Sequence, residues 1–229
     1  MILLPAWRRD GAIPPGRLSQ NLFASWIQSY GISVIFASPK NQTDEKMNIA
    51  VYCSAHEGLP QAVRDDAAAL GRWIGNNGHT LVYGGLDNGL MGTVASAAAE
   101  SGAKIMGVVP QSRLSRRHPA NTLDIMVATL HERKQTMEEN AHVFVALDGG
   151  IGTIDEVMSA LASTSFFDTP RPIHLLNRDG LYSPLAQMMA QMQSRGLVRP
   201  EVAARLQMHP TVDALLAALE ADAAAMTFD

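Results

Sequence analysis

The sequence predicts an α/β fold, a doubly wound, Rossmann-like parallel sheet with helices on both faces. Three observations predict it. Short runs that are almost wholly apolar recur from residue 48 onward, as in NIAVYC, KIMGVV and HVFVAL. Segments of helical spacing separate them, and glycine-rich stretches follow several of them directly. Strands covered on both faces read as continuous apolar runs, and their alternation with helices builds a parallel sheet.

The expected strands are 48–53, 79–83, 104–109, 123–127, 142–147 and 172–176. Helices are expected near 60–76, 89–101, 130–140 and 153–165, then near 183–194, 200–206 and 211–225. Ligands of such a sheet sit beyond the carboxyl ends of its strands. The segments CSAHEG, YGGLDNGLMG, TLHERK and ALDGGIGTIDE should therefore converge on one edge.

The chain has 229 residues, 47% of them hydrophobic. That is enough for one domain with a full core. Residues 47–229 form this domain, and 1–46 read as an extension that could be poorly ordered, with Met47 a candidate natural start. The alternative is that FASWIQSYGISVIF packs on the domain as a real element. A net charge of −4 and pI near 6.0 give no electrostatic case for nucleic acid or an anionic membrane. The basic residues are dispersed apart from the Arg116-Arg117 pair. One cysteine, Cys53, excludes an internal disulfide and suits a reducing compartment. The apolar-then-basic N-terminus runs opposite to a secretory signal, so a cytoplasmic protein is expected.

Gly84, Gly85, Gly89 and Gly92 of YGGLDNGLMG could let backbone approach a ligand, or could simply form a tight turn before a small-residue helix. The spacing is not that of the dinucleotide fingerprint, and no acid ends the next strand. In GGIGT, Gly149, Gly150 and Gly152 precede a helix expected to begin near Thr153. Free N–H groups and the positive helix end then make a phosphate or carboxylate cradle. No Gly-Lys-Ser/Thr follows, which excludes a Walker loop. Thr153 to Glu156 also reads as a capping box, which would occupy the Glu156 side chain.

A second capping box, Thr129 to Glu132, starts the next helix considered. Arg133 and Lys134 then fall in its first or second turn, where the dipole disfavours cations by roughly 0.3–1 kcal/mol each. Local rules tend to be broken where function requires it. Two cations beside a glycine cradle would make an anion site; the alternative is that both project into water.

Together these residues resemble the LONELY GUY (LOG) family, long mislabelled as lysine decarboxylases. Residues 148–156 match its PGGxGTxxE hallmark except at Asp148, and Leu130 to Lys134 match MHxRK except at the first position. VYGGLDNGLMG and RPIHLLNRDGLYSPL are similar to two further family stretches, in the right order, over about residues 47–195. The resemblance implies hydrolysis of nucleoside 5′-monophosphates, cytokinin ribotides or AMP-like, to free base and ribose 5-phosphate. It implies Arg133 and Glu156 as the catalytic pair, with substrate and phosphate held by Lys134, Gly149, Gly150, Gly152, Thr153, Gly84, Gly85 and Met91. It also implies a homodimer with no resident cofactor or metal. The chemistry is sound on its own terms, because cleaving an N-glycosidic bond builds positive charge on the ribose. A carboxylate there stabilises that charge or activates water.

Three positions depart from the family pattern: Asp148 for proline, Leu86 for glycine, and Ser54-Ala55 for Gly-Ser. Asp148 could replace the proline by an Asx turn, at an electrostatic cost to phosphate of roughly 0.5–2 kcal/mol. Leu86 could intrude on the ligand. These departures motivate an alternative, a non-catalytic nucleotide or molybdenum-cofactor-type binding protein on the same fold. For a pyridoxal-phosphate Schiff base Lys134 is the best candidate and nothing further supports it, and His131-Glu132 lacks the second histidine of a zinc motif.

Overall fold

A computed structural model describes residues 46–166 and 171–226. The expectations for the N-terminal extension fall outside the described residues, save Lys46.

Seven parallel strands form one sheet in the order β4-β3-β2-β1-β5-β6-β7. They are β1 (Asn48–Tyr52), β2 (Thr80–Tyr83), β3 (Lys104–Pro110), β4 (Leu123–Val127), β5 (Val143–Ala146), β6 (Ile173–Leu176) and β7 (Leu206–His209). The connecting helices are α1 (Gln61–Asn76), α2 (Gly89–Glu100), α3 (Leu130–Glu139), α4 (Ile151–Phe166), α5 (Ser183–Ser194), α6 (Pro200–Ala203) and α7 (Val212–Ala225). Among the described residues, no helix is long and apolar enough to cross a membrane.

The sheet carries a core on each face, as continuous apolar strands require. Leu70 and Ile74 of α1, Leu90 and Val94 of α2, and Leu215 and Leu219 of α7 cover one face. Met137 of α3, Val157 and Leu161 of α4, and Leu185 and Met189 of α5 cover the other. The small residues of α2 let α1 lie close against it. A Cβ on Gly71 would come within 2.5 Å of the Val94 carbonyl oxygen.

Chain direction across the sheet reverses between β1 and β5, which pair from Ile49↔Val143 to Tyr52↔Ala146. A crevice opens at such a switch point, beyond the carboxyl ends of the strands. The loops CSAHEG and DGGIGT meet there, where the Ser54 N–H donates to the Asp148 carbonyl over 2.9 Å.

Several elements differ from expectation, among them a short 3₁₀ turn over Arg178–Gly180. The helix expected over 200–206 stops at Ala203, and Leu206–His209 adds an edge strand beside β6. Four residues of alternating character give little signal until a partner strand fixes them. Gln111–Arg116 forms an unforeseen 3₁₀ turn after β3. The helix expected to begin near Thr153 begins at Ile151, with the Ile154 N–H donating to the Gly150 carbonyl. Thr153 is therefore not a cap, and the capping box over Thr153 to Glu156 does not form.

Candidate functional site

The early start of α4 leaves Glu156 in the second helical turn with its side chain free to face α3. The box expected at the start of α3 does form. Thr129 accepts from the Glu132 N–H, and Glu132 Oε2 accepts from the N–H groups of Ala128 and Thr129. That cap fixes the helix start and turns Arg133 inward.

Arg133 and Glu156 meet at the carboxyl edge of the sheet. Arg133 Nη1 donates to Glu156 Oε1 over 3.0 Å, with side-chain exposures of 11% and 9%. Arg133 Nε donates to the Val108 carbonyl of β3 at 3.2 Å. Beside them, Lys134 Nζ donates to both carboxylate oxygens of Asp155, at 2.8 and 2.9 Å. Two cations at the start of α3 thus face two acids at the start of α4. This pairing, rather than projection into water, offsets the unfavourable dipole position of Arg133 and Lys134.

The two pairs differ in environment. Asp155 is exposed, and such a pair contributes little to stability. Glu156 is buried, and that burial raises its carboxyl pKa from 4.5 to about 7, against the opposing pull of Arg133. Its ionisation therefore falls near neutrality, as acid–base work requires. Tyr52, on the same sheet face, has a buried hydroxyl with no hydrogen-bond partner among the described residues. Its pKa is raised first by burial and next by the Glu156 charge.

The glycines divide into two kinds. A Cβ on Gly84 would stand 1.7 Å from Arg133 Nη2, so Gly84 makes room for the guanidinium. Gly85 adopts φ +76° against Val109 and Gly107. Met91 is buried in the core, with its sulfur close to Gly84. The first amides of α2 are occupied from within the chain: Gly89 N–H donates to Glu57 Oε1, and Leu90 N–H to the Ser54 carbonyl. By contrast, a Cβ on Gly150 or Gly152 would meet nothing within 4 Å. The start of α4 is thus open, and its free N–H groups remain available to an anion. Gly149 lies against Thr153, whose buried hydroxyl would clash with any side chain there.

At the departures from the family pattern, Leu86 packs against the core rather than standing free. The Asx turn available to Asp148 is not formed, since no hydrogen bond among the described residues involves its carboxylate. Burial, then Asp66 and Asp179, raises the Asp148 pKa, while Arg178 lowers it. Arg178 itself is engaged by Asp66, at 2.5 and 2.7 Å. Cys53 is a buried core residue whose thiol pKa burial raises. Sequence reasoning missed Asp155, the Val108 carbonyl and the seating role of Gly84. The adjacent pairs Arg133-Lys134 and Asp155-Glu156 were a readable signal for the first.

This switch-point edge, with a buried guanidinium–carboxylate pair beside an open helix start, belongs to a Rossmann-like protein, in which such edges are where ligands sit. A family model described as "possible lysine decarboxylase" matches residues 91–219. The cytokinin riboside 5′-monophosphate phosphoribohydrolase LOG of Oryza sativa subsp. japonica is 33% identical over 174 residues, 75% of this chain and 72% of that one. LOG3 of Arabidopsis thaliana, of the same description, is 30% identical over 181 residues, 78% and 84% of the two chains. The chain belongs to this LOG family.

Among solved structures, the molybdenum cofactor binding protein of Rippkaea orientalis is similar at TM-score 0.62 and 20% identity, covering 77% of this chain and 97% of that one. The molybdenum cofactor carrier protein of Chlamydomonas reinhardtii is similar at TM-score 0.63 and 24% identity, covering 79% and 99%. These likenesses show the fold.

Proposed function

We propose that the protein hydrolyses the N-glycosidic bond of nucleoside 5′-monophosphates, releasing free base and ribose 5-phosphate. The observation that carries the proposal is the buried Arg133–Glu156 pair beside the open start of α4. The N–H groups around Gly150 and Gly152 hold the 5′-phosphate, with Gly149 and Thr153 shaping the loop. The ribose then lies over Glu156. As the C1′–N bond lengthens, the carboxylate stabilises the positive charge on the sugar or takes a proton from the attacking water. Arg133 orients that carboxylate and opposes the rise in its pKa that burial causes. Lys134 neutralises Asp155 and so lowers the negative charge next to the phosphate. Cytokinin ribotides enter as candidate substrates through the names of the relatives.

We also propose a cytoplasmic homodimer. Leu130 and Ile151, 71% and 87% exposed, flank the site at the starts of α3 and α4. A groove of about 320 Å³ lies between these helices, lined by His131, Lys134, Gln135, Glu138, Ser159, Ala162 and Ser163. A second copy would cover both.

Assay of base release from a panel of purine and pyrimidine monophosphates, with isopentenyl-AMP included, tests the activity. Glu156→Gln should lower kcat by about 10²–10⁴-fold. Tight binding of these nucleotides with no base released would instead support a non-catalytic carrier. That alternative is motivated by Asp148 at the cradle.

A further inference from the structure

Most cations along the carboxyl edge of the sheet are already engaged. Arg133 is held by Glu156, Lys134 by Asp155, Arg178 by Asp66 and Arg117 by Asp124. Among the described residues, the arginines there whose side chains have no ion-pair or hydrogen-bond partner are Arg113 and Arg116. Both are exposed, and both lie in the 3₁₀ turn that follows β3. In a 3₁₀ helix, side chains three residues apart eclipse one another. Arg113 and Arg116 therefore lie on one side of the turn, both exposed and neither neutralised by an ion pair among the described residues.

The turn is fixed to the site. The Asp87 N–H donates to the Arg116 carbonyl and the His118 N–H to the Gly85 carbonyl, both at 2.9 Å. Leu86 and Arg117 form a β-bridge. The buried His118 ring lies 3.0 Å from Ser96 Oγ and 3.5 Å from Asp87. Gly84, next along the tethered loop, touches the Arg133 guanidinium. Val108, whose carbonyl holds Arg133 Nε, lies three residues before the turn. Arg133 thus stands between the glycine cradle beyond β5 and the paired arginines beyond β3. Those strands lie three spacings apart, about 14 Å.

We infer that Arg113 and Arg116 form a second anion-recognition point, which selects nucleotides carrying another anionic group at the end remote from the 5′-phosphate. The inference rests on the proposed placement of phosphate at the cradle and the glycosidic bond at Glu156. The base then extends toward β3, and the recognised group is a carboxylate or phosphate borne by the base or by the far side of the sugar. Two guanidinium groups suit the paired oxygens of either.

The test compares AMP with orotidine 5′-monophosphate and N6-succinyl-AMP, which carry carboxylates on the base, and with adenosine 3′,5′-bisphosphate. Wild type and Arg113→Gln/Arg116→Gln are assayed for kcat/KM and, by calorimetry, for Kd at low and high salt. Wild type should favour at least one doubly anionic nucleotide over AMP by about five- to ten-fold at low salt, and the ratio should fall to near one in the double variant. Preference for the carboxylated bases or for the bisphosphate identifies which group is read. A ratio near one in wild type, or one that the double variant leaves unchanged, overturns the inference. The calorimetric ratio needs no turnover: a binding preference without base release refutes the hydrolase proposal alone, while hydrolysis without preference refutes this one alone.

Discussion

Arg133 Nη1 donates to Glu156 Oε1 across 3.0 Å, yet the glutamate pKa stands above its ordinary value, because burial outweighs the pair. An arginine partner alone would push a carboxyl pKa down. The pair is thus poised to change protonation near pH 7. If the carboxylate does the chemistry, kcat/KM rises with pH to a plateau above about 7. Arg133→Met removes the largest opposing cause, so the residual activity should climb at higher pH than in wild type. A profile that stays in place would rule out Glu156 as the titrating group.

The same ionisation has a stability signature. A carboxyl whose pKa is raised in the folded state keeps its proton between 4.5 and about 7, where the unfolded chain has released it. Its contribution is full below 4.5 and lost as pH rises through 7. Glu156→Gln should therefore gain stability relative to wild type across that window, by on the order of 3 kcal/mol at pH 8. Denaturant melts at pH 5 and pH 8 read the difference. Parallel pH dependences in the two proteins would contradict it.

Gly84 tests whether the guanidinium needs its seat. A methyl group there would stand 1.7 Å from Nη2 and 3.0 Å from the Met91 sulfur, so Arg133 must move. Displacement of about 1 Å in a catalytic constellation costs about 10²-fold. Gly84→Ala is expected to lose activity on that scale while its circular dichroism spectrum stays native. Full activity would show that Arg133 works from another position.

The pattern of strands was legible because burial on both sheet faces leaves an almost unbroken apolar run, as in Val143 to Ala146. The start of α3 was legible because Thr129 and Glu132 satisfy each other locally. The start of α4 was not. The T-x-x-E spacing from Thr153 fits a box equally well, but the glycines let the helix begin at Ile151, and Arg133 then claims Glu156. That choice is made by a contact 23 residues away, which local spacing cannot show. β7 was illegible for the same reason, since Leu206–His209 becomes a strand through its register with Ile173 to Leu176. The role of Gly84 likewise depends on a side chain from another helix.

Asp148 stands where the family pattern has proline, half-buried at the entrance to the cradle. Near neutral pH a negative charge there opposes phosphate by roughly 0.5–2 kcal/mol, a factor of about 2–30 in affinity. Asp148→Asn should tighten ribose 5-phosphate binding by a factor in that range at pH 8. The gain should shrink as pH falls, because burial and the neighbouring acids raise the pKa of the Asp148 carboxyl. Calorimetry at pH 8 and pH 5 decides the matter, and equal affinities in the two proteins at pH 8 would place the phosphate elsewhere.

Remote from the site, His174 Nδ1 lies 2.9 Å from His209 Nε2, and His174 Nε2 lies 2.7 Å from Asp222 Oδ2. With His174 donating to the carboxylate, its other nitrogen accepts from His209, and the chain ties β6, β7 and α7 together. Burial, then the neighbouring His174, lowers the His209 pKa, while Asp222 raises it. A histidine with a lowered folded pKa binds its proton more readily when unfolded. Stability is therefore full above about 6.5 and falls as pH drops through that value toward the folded one. Protection factors over residues 206–225, referred to the intrinsic exchange rate at each pH, should fall between pH 7 and pH 5.5, and His209→Gln should flatten that fall while leaving protection at neutral pH nearly unchanged. If wild type and His209→Gln lose protection equally, the acid lability of this corner arises from groups other than His209.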